Sequence, residues 1–152
     1  LYRRSMYTIW KRSSPPPAML SFDAPDRYYC VVRRQQTATP LQSFVLMNDP
    51  QFVEASRVLA QEILRKNLTL NDQMRQLVQC ILGRAPRSDE LTTLVNLYAD
   101  ATNRFEHNPD DAAQFINVGE HLQANDLDQI KVAATSIVVS TLMNHDEFVT
   151  KR

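Results

Sequence analysis

The sequence predicts a mainly α fold, an irregular bundle of five to six helices with an extended N-terminal arm. Apolar residues recur at helical spacing over most of the chain after residue 40. The dipeptides Thr-Pro at 39–40 and Asp-Pro at 49–50 are typical helix starts. The chain has only two glycines, Gly83 and Gly119, which disfavours both a hairpin-rich fold and a glycine-rich phosphate loop.

The first helix is predicted to begin at Pro40, where a missing backbone N–H costs nothing. Thr39 is the expected N-cap, and Gln42 three residues later completes a capping box. Asn48 is expected to end this helix. The side chains expected to face a core are Leu41, Phe44, Val45 and Met47.

Asp49 is predicted to cap the second helix and Pro50 to open it, so capping explains this aspartate without a catalytic role. Further helices follow from residue 68 onward. Gly83 is expected to end one of them, and Ser88 to cap the next. A shorter helix is expected to open at Pro109 and to be stopped by Gly119.

The last long helix is predicted from Leu127 to about Asn144, with Asn125 or Asp126 as its cap. Its middle, 132–143, is apolar almost all round. Such a helix is normally surrounded by others, so we expect it at the centre of the bundle.

We expect residues 1–152 to form a single domain, with an extended basic arm over 1–39 and a helical body over 40–152. Residues 28–33 are rich in aromatic and β-branched side chains and are the best strand candidate. Pairing them with 5–10 or 18–22 would give a small β-ribbon in the arm.

Charge is distributed unevenly although the whole chain is neutral. Residues 1–40 carry seven Lys/Arg against two Asp/Glu, net +5, and residues 41–152 carry ten against fifteen, net −5. The arm could lie on an acidic helical surface, or bind a polysaccharide or polyanion through aromatic and basic side chains. No nucleic-acid partner is expected, because the basic residues do not share one helix face. The candidate binding residues are Arg3, Arg4, Tyr7, Trp10, Lys11 and Arg12.

A second charged group lies around a predicted turn and could support acid–base chemistry or hold a hard cation. The alternative is a structural turn in which Asp23 caps and Asp26 pairs with an arginine. The residues of this candidate site are Asp23, Asp26, Arg27, Arg33 and Arg34.

Cys30 and Cys80 are the only cysteines, and they form no CxxC or haem-attachment motif. One disulfide between them and two free thiols both fit the sequence. No metal site and no cofactor are predicted for this chain. Its longest apolar run is too short to span a bilayer.

Several segments together resemble a planctomycete-type domain of unknown function. They are RRSMYTIWKRSSPPPAMLSFDAP, VRRQQTATPLQSFVLMNDPQFVEASRVLA, GRAPRSDEL and LMNHDEFVTKR. The resemblance covers nearly the whole chain. It implies the C-terminal fragment of a large exported, periplasmic or cell-envelope bacterial protein, in which a cytochrome-c-like domain lies upstream. It transfers no catalytic mechanism to any residue.

The first functional hypothesis is a non-catalytic interaction or structural module that docks on other domains of the same polypeptide. The second is that Asp23, Asp26, Arg27 and Arg33 contribute part of an active site formed with an upstream domain. The third is polysaccharide or polyanion binding through the arm. Whether the chain belongs to an enzyme is left open by the sequence.

Overall fold

A computed structural model describes residues 7–11, 13–25, 28–33, 37–124 and 126–150. The chain divides into two compact units, which we call the N-terminal unit, Leu1–Val45, and the helical unit, Leu46–Arg152. The described residues are mainly helical, as predicted, and contain no strand.

The N-terminal unit contains a short helix, α1, at Pro17–Ser21. It follows a run of prolines, and Pro17 at its first position has a backbone already set for a helix. The expected β-ribbon is therefore not formed with 18–22, since most of that segment belongs to α1. Lys11 and Ser14 form one isolated bridge instead, with the Ser14 N–H donating to the Lys11 carbonyl oxygen at 3.1 Å.

Helix α2, at Pro40–Asn48, begins in the N-terminal unit and ends in the helical unit. The remaining helices follow in chain order and all lie in the helical unit. They are α3 at Pro50–Leu64, α4 at Leu70–Leu82, α5 at Ser88–His107, α6 at Pro109–Ile116, α7 at Gln129–Met143 and α8 at Asp146–Val149.

Helix α7 is the centre of the helical unit, as its apolar sequence predicts. It contacts α3, α4, α5, α6 and α8. Nine of its fifteen residues are buried, including Ala133, Ala134, Val138 and Val139, which are fully enclosed. Because most of α7 is covered by its neighbours, apolar residues are needed on most of its sides, while Lys131 and Thr141 remain exposed.

Two apolar clusters meet along α7. One joins α7 to α3, α4 and α5 through Ala60, Ile63, Met74, Leu77, Val78, Leu94, Val138, Val139, Leu142 and Met143, and Phe148 of α8 packs against it. The other joins the beginning of α7 to α5 and α6 through Ala101, Phe105, Ala112, Ile116, Val132, Ala133 and Ala134. Burial of these side chains is the main stabilising contribution to the unit.

Most predicted helix ends are confirmed. The Asp49 carboxylate accepts from the Gln51 N–H at 2.9 Å at the start of α3. Gly83 ends α4 in the left-handed conformation, with φ of 74°.

Two predicted caps are wrong. Arg87, not Ser88, precedes α5, and the Glu90 carboxylate accepts from the Arg87 N–H at 2.8 Å. Asp128, not Asn125 or Asp126, caps α7 by accepting from the Ile130 N–H at 2.9 Å. Asp126 forms an ion pair with Arg65 of the α3 terminus instead, and Asn125 lies outside the described residues.

The α4–α5 connector is fixed to α8 by Arg84. Its guanidinium lies 2.7 Å from a carboxylate oxygen of Glu90 and 2.7 Å from one of Glu147. These hydrogen bonds with Arg84 lower the pKa of Glu90 to about 2 and also lower the pKa of Glu147. One arginine therefore holds together the beginning of α5 and the last described helix.

Candidate interaction surface

Asp23 closes a loop in the N-terminal unit. It has a positive φ of 54°, which Asp tolerates better than most residues. The Thr37 backbone N–H and hydroxyl both donate to its carboxylate, at 2.8 to 2.9 Å. Both carboxylate oxygens of Asp23 thus have a structural partner fourteen positions along the chain.

The candidate acid–base site is only partly described. Asp23 lies against Thr37, while Arg33 is exposed and takes no part in that contact. Asp26, Arg27 and Arg34 lie outside the described residues. The structure therefore does not bring Arg33 to Asp23, and the site stays a prediction.

Gln42 connects three parts of the N-terminal unit. Its amide nitrogen donates to the Ser21 carbonyl oxygen at 2.9 Å and to the Thr37 hydroxyl oxygen at 3.2 Å. Its amide oxygen accepts from the Thr39 N–H at 3.4 Å, which is half of the predicted capping box. The capping pattern revealed the local bond, but nothing in the sequence indicated the bonds to Ser21 and Thr37.

Helix α2 turns an apolar face to solvent. Leu41, Phe44 and Met47 are 57%, 63% and 50% exposed. Gln42 and Leu46, four residues apart and hence on one side of the helix, are buried. We call the side chains of Leu41, Phe44 and Met47 the α2 outer face.

The expectation that these three residues face a core is therefore wrong, and Val45 is only half-buried. Helix α2 carries apolar residues on both sides, so their spacing in the sequence could not predict which side faces the core. Because Gln42 bonds to Ser21 and Thr37, its own side of α2 faces inward and the opposite side faces water.

The candidate binding arm is described at Tyr7, Trp10 and Lys11 only, and Arg3, Arg4 and Arg12 lie outside the described residues. Tyr7 and Lys11 are exposed, and Trp10 is half-buried. No charged residue in the described part of 7–45 forms an ion pair. The described cations of the unit are thus uncompensated by neighbouring carboxylates.

A buried ion pair in the helical unit holds the segment between α6 and α7. Arg57 and Glu54 of α3 are 1% and 6% exposed, and their charged groups lie 3.8 Å apart. The Glu54 carboxylate accepts from the His121 N–H, and an Arg57 N–H donates to the His121 carbonyl oxygen at 2.8 Å. We call these three residues the His121 clasp.

Gly119 makes the clasp possible. It has a φ of 101°, and a Cβ atom at this position would lie 2.4 Å from the Glu54 Cδ. Only a residue without a side chain lets the backbone approach the carboxylate so closely. Gly119 does not stop α6 as predicted, because that helix ends earlier, at Ile116. The one sequence signal of the clasp is a Glu and an Arg on the inner side of α3.

Cys30 and Cys80 are both free and exposed. They lie in different units. The two alternatives, one disulfide or two free thiols, therefore both stay predictions.

Comparison with known protein families shows the family to which this chain belongs. The family model described as PSD1, a protein of unknown function (DUF1553), matches residues 1–98. That match spans more than half of the 152 residues. The chain belongs to the PSD1 family. No curated protein and no solved structure matches it.

The match confirms the resemblance to a domain of unknown function. It covers the FDAP turn and the TPLQ and NDP helix starts in the PSD1 chain, while the closing DEFV segment lies beyond it. The association with a cytochrome-c-like domain stays a prediction. The family description assigns no reaction or ligand.

Two further findings bear on the chemistry of the PSD1 chain. Within the described ranges, no group of three or more His, Cys, Asp or Glu side chains could hold a metal ion. His107 and His121 each place Nδ1 near a backbone oxygen, at 2.6 and 3.0 Å.

Among the described residues, none of the helices combines the length and the apolar character that crossing a membrane requires.

Proposed function

We propose that this chain is a non-catalytic interaction module of a multidomain exported bacterial protein, and that its N-terminal unit docks on other domains of the same polypeptide. The periplasm or cell envelope is the proposed location, and no cofactor is assigned to residues 1–152. The α2 outer face is the observation that carries the proposal.

Exposed apolar side chains concentrate in one part of the chain. Eleven large apolar residues are exposed among those described, and ten of them lie between residues 7 and 47. Soluble proteins rarely leave so many apolar groups of one region in water unless a partner covers them. The exception is Leu122, which lies between α6 and α7.

Charge supports the same proposal. The first forty residues carry a net +5, and no described residue among 7–45 forms an ion pair. Lys11 and Arg33, the described cations of this segment, are both exposed, and a partner that supplies carboxylates as well as apolar surface would complement the segment.

No observation favours the active-site hypothesis or the polysaccharide hypothesis over docking. Asp23 of the predicted active site accepts from Thr37 with both carboxylate oxygens, which is a structural role. Of the arm residues predicted for polysaccharide binding, only Tyr7, Trp10 and Lys11 are described, and Trp10 is half-buried.

The test is a calorimetric titration of this chain with the separately expressed remainder of its polypeptide. We expect saturable binding with a negative heat-capacity change, because apolar surface is buried on docking. Phe44→Ser should weaken binding by about tenfold, equivalent to about 1.4 kcal/mol.

Leu122→Ser is the matched control, since it also removes an exposed apolar side chain but lies in the helical unit. It should leave the affinity unchanged. The absence of binding by the unaltered chain would overturn the proposed function, provided that circular dichroism shows both proteins to be folded.

A further inference from the structure

The N-terminal unit presents a short apolar loop between arginines. Its exposed residues are Tyr29, Cys30, Val31 and Val32, which we call the loop tip. We propose that the loop tip attaches the chain to the surface of an anionic lipid bilayer, at the depth of the lipid head groups. This contact is separate from docking within the polypeptide, since it uses the loop tip and not the α2 outer face.

The loop that carries the tip is closed at its base. The Thr37 backbone N–H and hydroxyl donate to the Asp23 carboxylate at 2.8 to 2.9 Å. The Gln42 amide nitrogen donates to the Thr37 hydroxyl oxygen at 3.2 Å, and Gln42 is buried. A loop whose two ends are bonded together presents its middle residues at a lower entropic cost than an open segment does.

The side chains of the loop tip reach solvent together. Tyr29 is 79% exposed, Val31 is 51% exposed and Val32 is fully exposed. Three Cα–Cα steps separate Tyr29 from Val32, so these residues lie within about 11 Å of one another. Contiguous apolar side chains in water mark a contact with a partner or with a membrane.

A β-strand from a partner does not fit the loop tip. Its sequence is rich in residues that favour strands, but the backbone bends at residues 28–29 and again at 32–33. A strand adds to a straight edge of several residues, and these bends leave only two residues between them. Contact through side chains is therefore the mode of recognition.

Arginines flank the loop tip on both sides. Arg33 directly follows Val32 and is exposed, and the sequence places Arg34 next to it and Arg27 two positions before Tyr29. From residue 27 to residue 48 the sequence has three Lys/Arg and no Asp or Glu. Cations at the edge of an apolar contact attract anionic head groups, so an anionic surface is favoured over a neutral one.

The chemistry of the loop tip suits the boundary between water and lipid. The ring of Tyr29 is apolar and its hydroxyl is polar, and tyrosine is enriched at membrane interfaces for this reason. Residues 29–32 belong to no helix or strand, so their backbone N–H and C=O groups need water and cannot enter the hydrocarbon. The attachment is therefore shallow.

The first experiment is sedimentation of the whole chain with lipid vesicles. One set contains phosphatidylcholine mixed with phosphatidylglycerol, and the other contains phosphatidylcholine alone. We expect the chain to bind the mixed vesicles at least about tenfold more tightly at low salt. The preference should shrink as salt is raised.

Apolar variants locate the contact. Replacing Val31 and Val32 together by Ser should weaken binding to the mixed vesicles at least about tenfold, because two apolar side chains no longer leave water. Ile9→Ser is the matched control, since Ile9 is an exposed β-branched residue of the same unit outside the loop. It should leave the affinity unchanged.

Charge variants test the flanking arginines. Arg33→Gln should weaken binding to the mixed vesicles about fivefold and leave the weak binding to phosphatidylcholine unchanged. Lys11→Gln removes an exposed cation of the same unit that lies outside the loop, and it should have a smaller effect.

Cys30 gives a direct measurement of depth. With Cys80 replaced by Ser, a nitrobenzoxadiazole dye on the exposed thiol of Cys30 should shift its emission to shorter wavelength on the mixed vesicles. The same dye on Cys80 of α4, with Cys30 replaced by Ser, should show no shift.

Several results would overturn the lipid contact. Equal affinity for the two kinds of vesicle would exclude selection by charge, and equal dye shifts at the two cysteines would exclude the loop tip as the contact. Binding of dextran sulfate that equals vesicle binding and that the paired valine variant leaves intact would make the partner a soluble polyanion. Loss of binding to the remainder of the polypeptide in that variant would make it a protein domain.

The outcomes also separate the lipid contact from the proposed function. If the remainder of the polypeptide binds the chain but neither kind of vesicle does, then only the lipid contact fails. If the mixed vesicles bind at the loop tip and the remainder does not bind, then docking fails and the lipid contact stands.

Discussion

The Gln42 amide nitrogen donates to the Ser21 carbonyl oxygen at 2.9 Å, across twenty-one positions of the chain. The same nitrogen also reaches the Thr37 hydroxyl. Because Gln42 is 4% exposed, these bonds form in a largely dry environment where an unpaired polar group is costly. They determine which side of α2 faces outward.

Replacing Gln42 by Leu should destabilise the N-terminal unit by about 1–3 kcal/mol, since the Ser21 carbonyl loses its donor while remaining partly buried. The measurement is urea unfolding followed by fluorescence of Trp10, the only tryptophan of the chain. Ser43→Ala is the matched control, because Ser43 is an exposed neighbour on α2. Equal midpoints for the two variants would contradict this role of Gln42.

Replacing Gly119 by Ala should cost more than replacing Gly83 by Ala. Both glycines have positive φ, but a Cβ at Gly83 would meet no atom within 4 Å, whereas one at Gly119 would overlap the Glu54 side chain. We expect Gly83→Ala to lower the free energy of unfolding by about 1 kcal/mol, from backbone strain alone. For Gly119→Ala we expect the free energy of unfolding to fall by about 2–4 kcal/mol, because the overlap with Glu54 adds packing strain to the backbone strain.

Far-UV circular dichroism during urea unfolding measures both losses, since most helical residues belong to the helical unit. The double variant Gly119→Ala with Glu54→Ala relieves the overlap. Its loss should therefore be smaller than the sum of the two single losses. Strict additivity would show that the Glu54 side chain does not cause the effect.

The buried pair of the His121 clasp should respond differently to single and paired substitutions. Arg57→Met alone leaves the Glu54 carboxylate buried without its cation, so we expect a loss of about 3 kcal/mol. Replacing Glu54 by Leu as well should recover part of that loss, because no carboxylate then stays buried without its cation.

Hydrogen exchange at the His121 amide gives a second measurement. Its N–H donates to Glu54, so both Arg57→Met and the paired variant should exchange faster at this amide than the unaltered chain. If the His121 amide is equally protected in these variants and in the unaltered chain, then the His121 clasp does not hold the segment between α6 and α7.

Acid should weaken the ion pairs of Arg84 with Glu90 and Glu147. The folded-state pKa of Glu90 is lowered from 4.5 to about 2 by hydrogen bonds from Arg84 and from the Arg87 backbone. A lowered folded pKa means that the stabilisation is complete above the unfolded pKa near 4.5, and is lost as pH falls toward about 2. Glu147 contributes in the same direction.

Melting temperature measured as a function of pH should therefore fall across this window. Glu90→Gln retains an acceptor for the Arg87 N–H but removes the ion pair with Arg84, so its melting temperature should fall less over the same pH range. An identical pH profile for the two proteins would show that other carboxylates dominate the acid sensitivity.

Local signals in the sequence were sufficient to predict much of the fold. The starts of α2 and α3 follow from proline at the first helical position, and the end of α4 follows from Gly83. The central position of α7 follows from its apolar character on all sides. Each of these features depends on residues that are close together in the chain.

The errors have a common physical cause, which is a partner far along the chain. Asp126 does not cap α7 because Arg65 binds it. Leu41 and Phe44 do not face inward because Gln42 bonds to Ser21 on the other side of the helix. The His121 clasp joins positions sixty-seven residues apart, a separation at which spacing rules carry no information.

The central position of α7 has a consequence during synthesis. Helices α3 to α6 leave the ribosome before α7, yet each of them packs on α7. Their apolar faces have no common core until residue 143 has emerged. The nascent helical unit therefore lacks its common core until it is nearly complete, and its earlier helices expose the apolar faces that α7 later covers.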